Sequence, residues 1–244
     1  MPWALRSGRH RSFETPSPIG AGGSLILMKT AEDPYCFLSP VYDFFVGPAL
    51  HRIRKHCLDF IPPSAGKPVL DIACGTGLLL NDIARRYPHH HLYGIDRSRS
   101  MLEKAFRKRA DAPVLWIRGN GGETPFPSET FAIITVIYAL HEMEPEGRIQ
   151  VLREAARILV NTGWLLAVDY DVESFRGRGW RSAPSWGTHV IERIAGRDHY
   201  RNFQHFLLHG GLVPLLEGAG FSVVENRRIE RHQAQMLLAQ KATA

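Results

Sequence analysis

The string Val69-Leu-Asp-Ile-Ala-Cys-Gly-Thr-Gly-Leu78 constrains this chain more than any other. A short apolar run, a Gly-Thr-Gly turn and a helical pattern from Leu78 to Arg86 follow one another without a gap. Glycine reaches backbone dihedrals closed to other residues and lets a ligand approach the main chain closely. A buried strand that turns through glycines into a helix is the nucleotide-binding corner of a doubly wound α/β sheet. Ligands there sit outside the carboxyl ends of the strands.

The flanking sequence agrees with that corner. His91–Asp96 reads as a second strand, and Ser98 caps a helix running to about Arg109. Pro113–Arg118, Phe131–Ile137 and Gly163–Asp169 read as further strands, and Glu144–Leu159 as an amphipathic helix. This alternation implies a parallel sheet covered by helices on both faces. Phe206–Gly218 reads as a helix. Phe221–Ile229 and Gln233–Gln240 have no crossover helix between them, which implies an antiparallel pair. Upstream, apolar residues between Phe37 and Ile61 recur at helical spacing. Gly47-Pro48 divides them into two helices, and Pro62-Pro63 ends the second.

Composition bounds the rest. The 244 residues fit one large domain, and no apolar run approaches the ~20 residues of a membrane span. Cys36, Cys57 and Cys74 form no CxxC pair, so free thiols in a reducing, cytoplasmic setting are expected. Residues 1–27 carry Arg6, Arg9 and Arg11 against Glu14, with no apolar block after them, so a disordered tail is expected rather than a secretory signal. The remaining residues, 28–244, form the expected domain. The net charge of +6 favours acidic partners without choosing among them, and removing the tail's three Arg and one Glu lowers it by two, to +4.

Two ligand classes compete for the glycine turn. A dinucleotide site needs G-x-G-x-x-G, and the third glycine position here is Leu80. The alternative, acid-x-G-x-G-x-G, is met as Asp71-x-Ala73-x-Gly75-x-Gly77. An acid on the strand is awkward for a pyrophosphate and natural for a ligand bearing an ammonium group. A phosphate-binding P-loop is excluded, because no Gly-Lys-Ser/Thr follows. Asp96, at the end of the next strand, is placed to accept hydrogen bonds from ribose hydroxyls in either class. Asn120 offers an amide for an adenine edge, beside Gly121 and Gly122.

With these residues in view, the chain resembles the class I S-adenosylmethionine-dependent methyltransferases, especially the ubiquinone/menaquinone-biosynthesis type. The resemblance spans roughly Tyr42 to Lys241. It rests on Val69–Leu78, on Tyr93-Gly-Ile-Asp-Arg-Ser-Arg-Ser-Met-Leu102, on Gly119–Pro127 followed by Phe131–Met143, and on Gly218-Ala-Gly-Phe-Ser-Val-Val-Glu225. It implies a Rossmann-like, seven-stranded, mostly parallel sheet with an antiparallel C-terminal strand pair, N-terminal helices and an inserted lid. It also implies S-adenosyl-L-methionine as cofactor. Asp71 and the Gly75 and Gly77 backbone would hold its methionine end, Asp96 the ribose, and Arg97, Asn120 and Gly121 the adenine. Ala73 departs from the usual glycine and Asn120 from the usual Asp.

Several residues are candidates for the acceptor end. His141 follows the fourth strand and could act as a general base, or only line the pocket. Tyr138 is expected against cofactor or substrate. Tyr42, in a segment resembling the family's N-terminal helix, and His199, Tyr200 and Arg201 are expected substrate contacts. The stretch from about 170 to 203 is longer than an ordinary connection and reads as a lid. It holds six arginines against four acids, with Trp180 and Trp186. No metal site is expected: His89, His90 and His91 point to alternate faces of an extended chain and read as a polar loop.

The function these features imply is methyl transfer to a small acceptor, lipophilic or anionic, by in-line displacement. Peripheral membrane contact is a companion expectation, nucleic acid is disfavoured, and the oligomeric state stays open. An RNA methyltransferase and a non-catalytic cofactor-binding protein on the same fold are the alternatives.

Overall fold

The computed structural model describes residues 24–27, 47–61, 68–108, 113–176, 183–229 and 233–242. One sheet runs through it in the order β1-β4-β3-β2-β5-β6-β8-β7. Its strands are β1 (Ser24–Leu27), β2 (Pro68–Ile72), β3 (His91–Asp96), β4 (Val114–Arg118), β5 (Phe131–Ile137), β6 (Leu159–Tyr170), β7 (Phe221–Ile229) and β8 (Ala234–Lys241). The pairings from β1 to β6 are parallel, and β8 runs antiparallel to both β6 and β7.

The sheet therefore has eight strands where the sequence implied seven. The extra one, β1, is an edge strand beside β4. Its Ser-Leu-Ile-Leu run lies inside the stretch expected as a tail, where the preceding glycines and arginines mask a four-residue signal. Residues 1–23 lie outside the described residues, as does the first of the two expected N-terminal helices.

The helices are α1 (Gly47–Phe60), α2 (Leu78–Arg86), α3 (Arg99–Arg107), α4 (Pro145–Ile158), α5 (Val172–Arg176), α6 (Ala183–Ile194), α7 (Arg197–Leu208) and α8 (Leu212–Gly218), with a 3-10 turn at Leu140–Glu142. Ser98 caps α3 as expected, its hydroxyl accepting from the Met101 N–H at 3.1 Å. The single helix expected over Phe206–Gly218 is broken by Gly210 and Gly211, both left-handed, and begins earlier, at Arg197.

Strand alternation sorts the core into two apolar layers. Leu70 and Ile72 of β2 face the layer containing Val151 and Leu152 of α4, Phe206 of α7 and Leu216 of α8. Val69 faces the other layer, with Ile53 and Cys57 of α1, Leu80 and Ile83 of α2 and Leu102 of α3. Helices cover both faces, so the strand ends are where a ligand can enter. No described helix is long and apolar enough to cross a membrane.

Candidate active site

β2 pairs with β3 on one side and β5 on the other, so the strand order reverses there. A cavity of about 430 Å³ opens at the carboxyl ends of these strands. That is the size and place expected of a small-molecule site in a doubly wound sheet. Among the expected site residues, Ala73, Gly75, Asp96, Arg97, Asn120, Gly121, Tyr138 and His199 line it.

One wall is built mainly of backbone. The Asp96 carboxylate is fixed by two main-chain donors, Gly75 N–H at 2.7 Å and Ser98 N–H at 2.8 Å. Gly75 is left-handed at φ +53°, and a side chain there would meet nothing within 4 Å, so the turn leaves room for a ligand. Ala73 is also left-handed, at φ +57°. The departure from glycine is thus a matter of backbone strain, on the order of 1 kcal/mol, rather than of room. Asn120, whose amide was expected at an adenine edge, accepts with its carbonyl oxygen from the Gly122 N–H at 3.1 Å.

Two residues of the motif stand behind this wall. Gly77 is needed by packing: a Cβ on it would lie 2.3 Å from the Trp116 ring. Asp71 is buried, and its Oδ1 accepts from the Thr135 hydroxyl of β5 at 2.6 Å. Burial pushes its carboxyl up to about 7, against the Thr135 bond that lowers it, with the nearby Asp96 charge raising it further.

The opposite wall is built of side chains. His141 is buried on the 3-10 turn, with Nδ1 2.6 Å from Asp169 Oδ1. Asp169, fully buried at the end of β6, also accepts from the His141 and Tyr170 backbone N–H groups. Glu192 of α6 accepts from the Tyr170 hydroxyl at 2.6 Å and pairs with His199 Nε2 at 2.5 Å. Burial lowers the His141 pKa, but Asp169 above all, then Glu192 and Glu142, raise it to about 9. The ring does not line the cavity. Its position and its raised pKa weigh against the expected role of general base.

α7 presents Asp198, His199 and Asn202 to the cavity, as one helical face does at such spacing. Tyr200 instead hydrogen-bonds His189 at 3.2 Å, and Arg201 is exposed and paired with Asp198. Tyr42 lies outside the described residues, as do Trp180 and the arginines at 178 and 181. Of the lid's arginines, Arg193, Arg197 and Arg201 are exposed, and none of these three lines the cavity. The charged wall groups are Asp96, Glu142, Glu144 and Asp198 against Arg97, with His199 beside them. This balance suits a cationic ligand and removes the support for an anionic one.

A family described as a methyltransferase domain matches residues 69–163. The demethylmenaquinone methyltransferase of Listeria monocytogenes serotype 4a is 32% identical over 180 residues, which are 69% of this chain and 73% of that enzyme. The chain belongs to the class I S-adenosylmethionine-dependent methyltransferases. The ubiquinone/menaquinone biosynthesis C-methyltransferase UbiE of a Ruegeria species is 30% identical over 172 residues, 67% of this chain. The match spans just under two thirds, 66%, of that relative. A methyltransferase structure from Aquifex aeolicus shares the fold at a TM-score of 0.58 and 19% identity, covering 87% of this chain and 100% of that one.

Some groups that shape this methyltransferase site carry no motif in the sequence. Arg148 of α4 is buried and donates to the carbonyl oxygens of Leu140 at 2.7 Å, His141 at 3.2 Å and Asn202 at 2.5 Å. Asn202 in turn donates to the Glu142 carbonyl at 2.8 Å. Together they tie the 3-10 turn to α7. Only for Asn202 did a signal exist: it lies one helical turn beyond His199 and shares its face.

Proposed function

We propose that this chain transfers the methyl group of S-adenosylmethionine to a small, lipophilic, ring-bearing acceptor in the 430 Å³ cavity. The observation that supports this most is the backbone-held Asp96 carboxylate beside the open left-handed Gly75, at the strand-order reversal. The cofactor supplies an electrophilic methyl group on a sulfonium. Asp96 would take the ribose hydroxyls, Gly121 and Asn120 the adenine, and the Ala73–Gly75 turn the methionine end. The acidic wall favours a cation bound there, and holding acceptor and methyl in line is the main catalytic task.

The acceptor end lies toward Tyr138, Glu142 and His199. Tyr138 lines this end, and its ring is backed edge-on by Tyr170 at 5.3 Å, which offers an aromatic surface for a flat apolar ring. The names of two relatives, a ubiquinone/menaquinone biosynthesis C-methyltransferase and a demethylmenaquinone methyltransferase, support a ring carbon of a quinol-like acceptor. A polyanion such as RNA finds no basic wall in the described cavity.

Calorimetry with S-adenosylmethionine tests the cofactor half. Asp96→Ala is expected to lose about 1.5–3 kcal/mol of affinity, one charge-assisted contact. Wild-type protein that does not bind the cofactor overturns the reading. Labelled methyl transfer to an extract, partitioned into lipid, small-molecule, RNA and protein fractions, tests the acceptor half. Label is expected in the lipid fraction, and label in RNA overturns the acceptor class.

A further inference from the structure

Behind the acceptor end, His141, Glu142 and His199 each offer one ligand atom, and these atoms lie within 4.8 Å of one another. We propose that His141, Glu142 and His199, with Glu192, form a site for a divalent first-row transition metal at the edge of the cavity. The inference stands apart from methyl transfer and needs only the geometry of these side chains.

The distances fit. Two ligands of one tetrahedral ion, each about 2.0–2.1 Å from it, are about 3.4 Å apart. His141 Nε2 is 3.7 Å from Glu192 Oε2 and 3.8 Å from Glu142 Oε1. His199 Nε2 touches Glu192 Oε2 directly, at 2.5 Å. Metal binding replaces that hydrogen bond by a bond from each atom to the ion, releases to solvent the protons held at His199 Nε2 and His141 Nε2, and moves the pair apart by about 1 Å.

The second observation is the hold on His141. Its Nδ1 is bound by the fully buried Asp169 at 2.6 Å, which turns Nε2 toward Glu142 and Glu192. A carboxylate that fixes the far nitrogen of a ligating histidine is the usual outer support of a metal site. Asp169 is itself oriented by two backbone N–H groups, so this arrangement precedes any ion. Three carboxylates, those of Asp169, Glu192 and Glu142, also surround the two rings in a largely buried region that a divalent cation would help to neutralise.

Mixed imidazole and carboxylate ligands select zinc, manganese, iron or cobalt over magnesium or calcium, which prefer oxygen alone. Glu142 and His199 line the cavity, so the ion would sit at its edge.

The full chain, stripped with a chelator, would be titrated with Co²⁺ while its visible d–d bands are followed. Zn²⁺ would then be added as a competitor. One equivalent of Co²⁺ is expected to bind with four- or five-coordinate bands that zinc abolishes. His199→Ala and the nearly isosteric Glu142→Gln, each checked for folding by near-ultraviolet circular dichroism, are expected to weaken uptake at least tenfold. No saturable uptake by the wild type, or uptake unchanged in both variants, overturns the proposal. Binding of S-adenosylhomocysteine to the metal-free wild type separates this result from the cofactor reading.

Discussion

The two walls of the cavity are made differently. On the glycine side, the ligand-facing groups are main chain or are fixed by main chain: Gly75, the turn at Ala73, and Asp96 held by two N–H donors. On the lid side they are side chains held by other side chains: His141 by Asp169, His199 by Glu192, and the 3-10 turn by Arg148. A backbone wall depends on a few local dihedrals. A side-chain wall depends on buried charges from β6, α4, α6 and α7, and each charge removed leaves another without a partner. The first wall should tolerate substitution of its charged members, and the second should not.

The largest expected effect follows from that asymmetry. Arg148→Met keeps much of the volume but leaves the Leu140, His141 and Asn202 carbonyls without their buried donor. A loss of about 3–5 kcal/mol in stability is expected, read from urea unfolding. Since α7 and the 3-10 turn would part, His199 would also lose its position. A change under about 1 kcal/mol would show that apolar packing, not Arg148, joins these elements.

The same difference explains what could be read from the sequence. The glycine wall was legible because residues close in sequence make it: the strand, the turn and Asp96 all fall between positions 69 and 96. The parallel sheet and the antiparallel end pair followed from the alternation of elements. Strand β1 did not, because a serine and three apolar residues after a glycine run carry no periodicity. The lid wall was partly legible. His141 and His199 stood out as side chains, but their partners Asp169 and Glu192 lie far along the chain or on another helix. The arginine content of the lid misled, because charge in a helical segment mostly faces water. Asp71 and Gly77 sat inside the motif and yet serve the core, since strand alternation puts Asp71 on the face of Val69 and brings Trp116 against Gly77.

Asp71 offers a sharper probe of the glycine side, because it is the one buried charge placed there. Its carboxyl is raised from 3.8 to about 7. Thr135 on β5, Asp96 on β3, Cys57 on α1 and Cys74 of the turn are the groups that interact with it. A folded-state pKa above the unfolded one means that the folded chain binds the proton more tightly. Stability therefore falls as pH rises from about 4 to about 7, and the cost is complete above that. Asp71→Asn should match the wild type at pH 4 and exceed it at pH 8 by up to about 4 kcal/mol, the free energy of that shift. Its affinity for the cofactor should change less than that of Asp96→Ala, since it stands behind the wall. An equal stability difference at both pH values would place the Asp71 charge in solvent or against the ligand.

The smallest expected effect separates the two glycines of the turn. Gly75→Ala meets open space and carries only the left-handed penalty, about 1 kcal/mol, so stability should drop little. The added methyl projects where the cofactor would lie, so affinity should fall further than stability does. Gly77→Ala adds the same penalty and drives a methyl against the Trp116 ring and Ala105 Cβ, at 2.3 and 2.9 Å. Overpacking of this kind costs about 1–3 kcal/mol, for a total near 3 kcal/mol. Stability should therefore fall more for Gly77→Ala, and affinity more for Gly75→Ala. Paired thermal unfolding and calorimetry on the two variants read this reversal. If both lose affinity equally and neither loses stability, Gly77 belongs to the ligand wall and the Trp116 contact does not hold the turn.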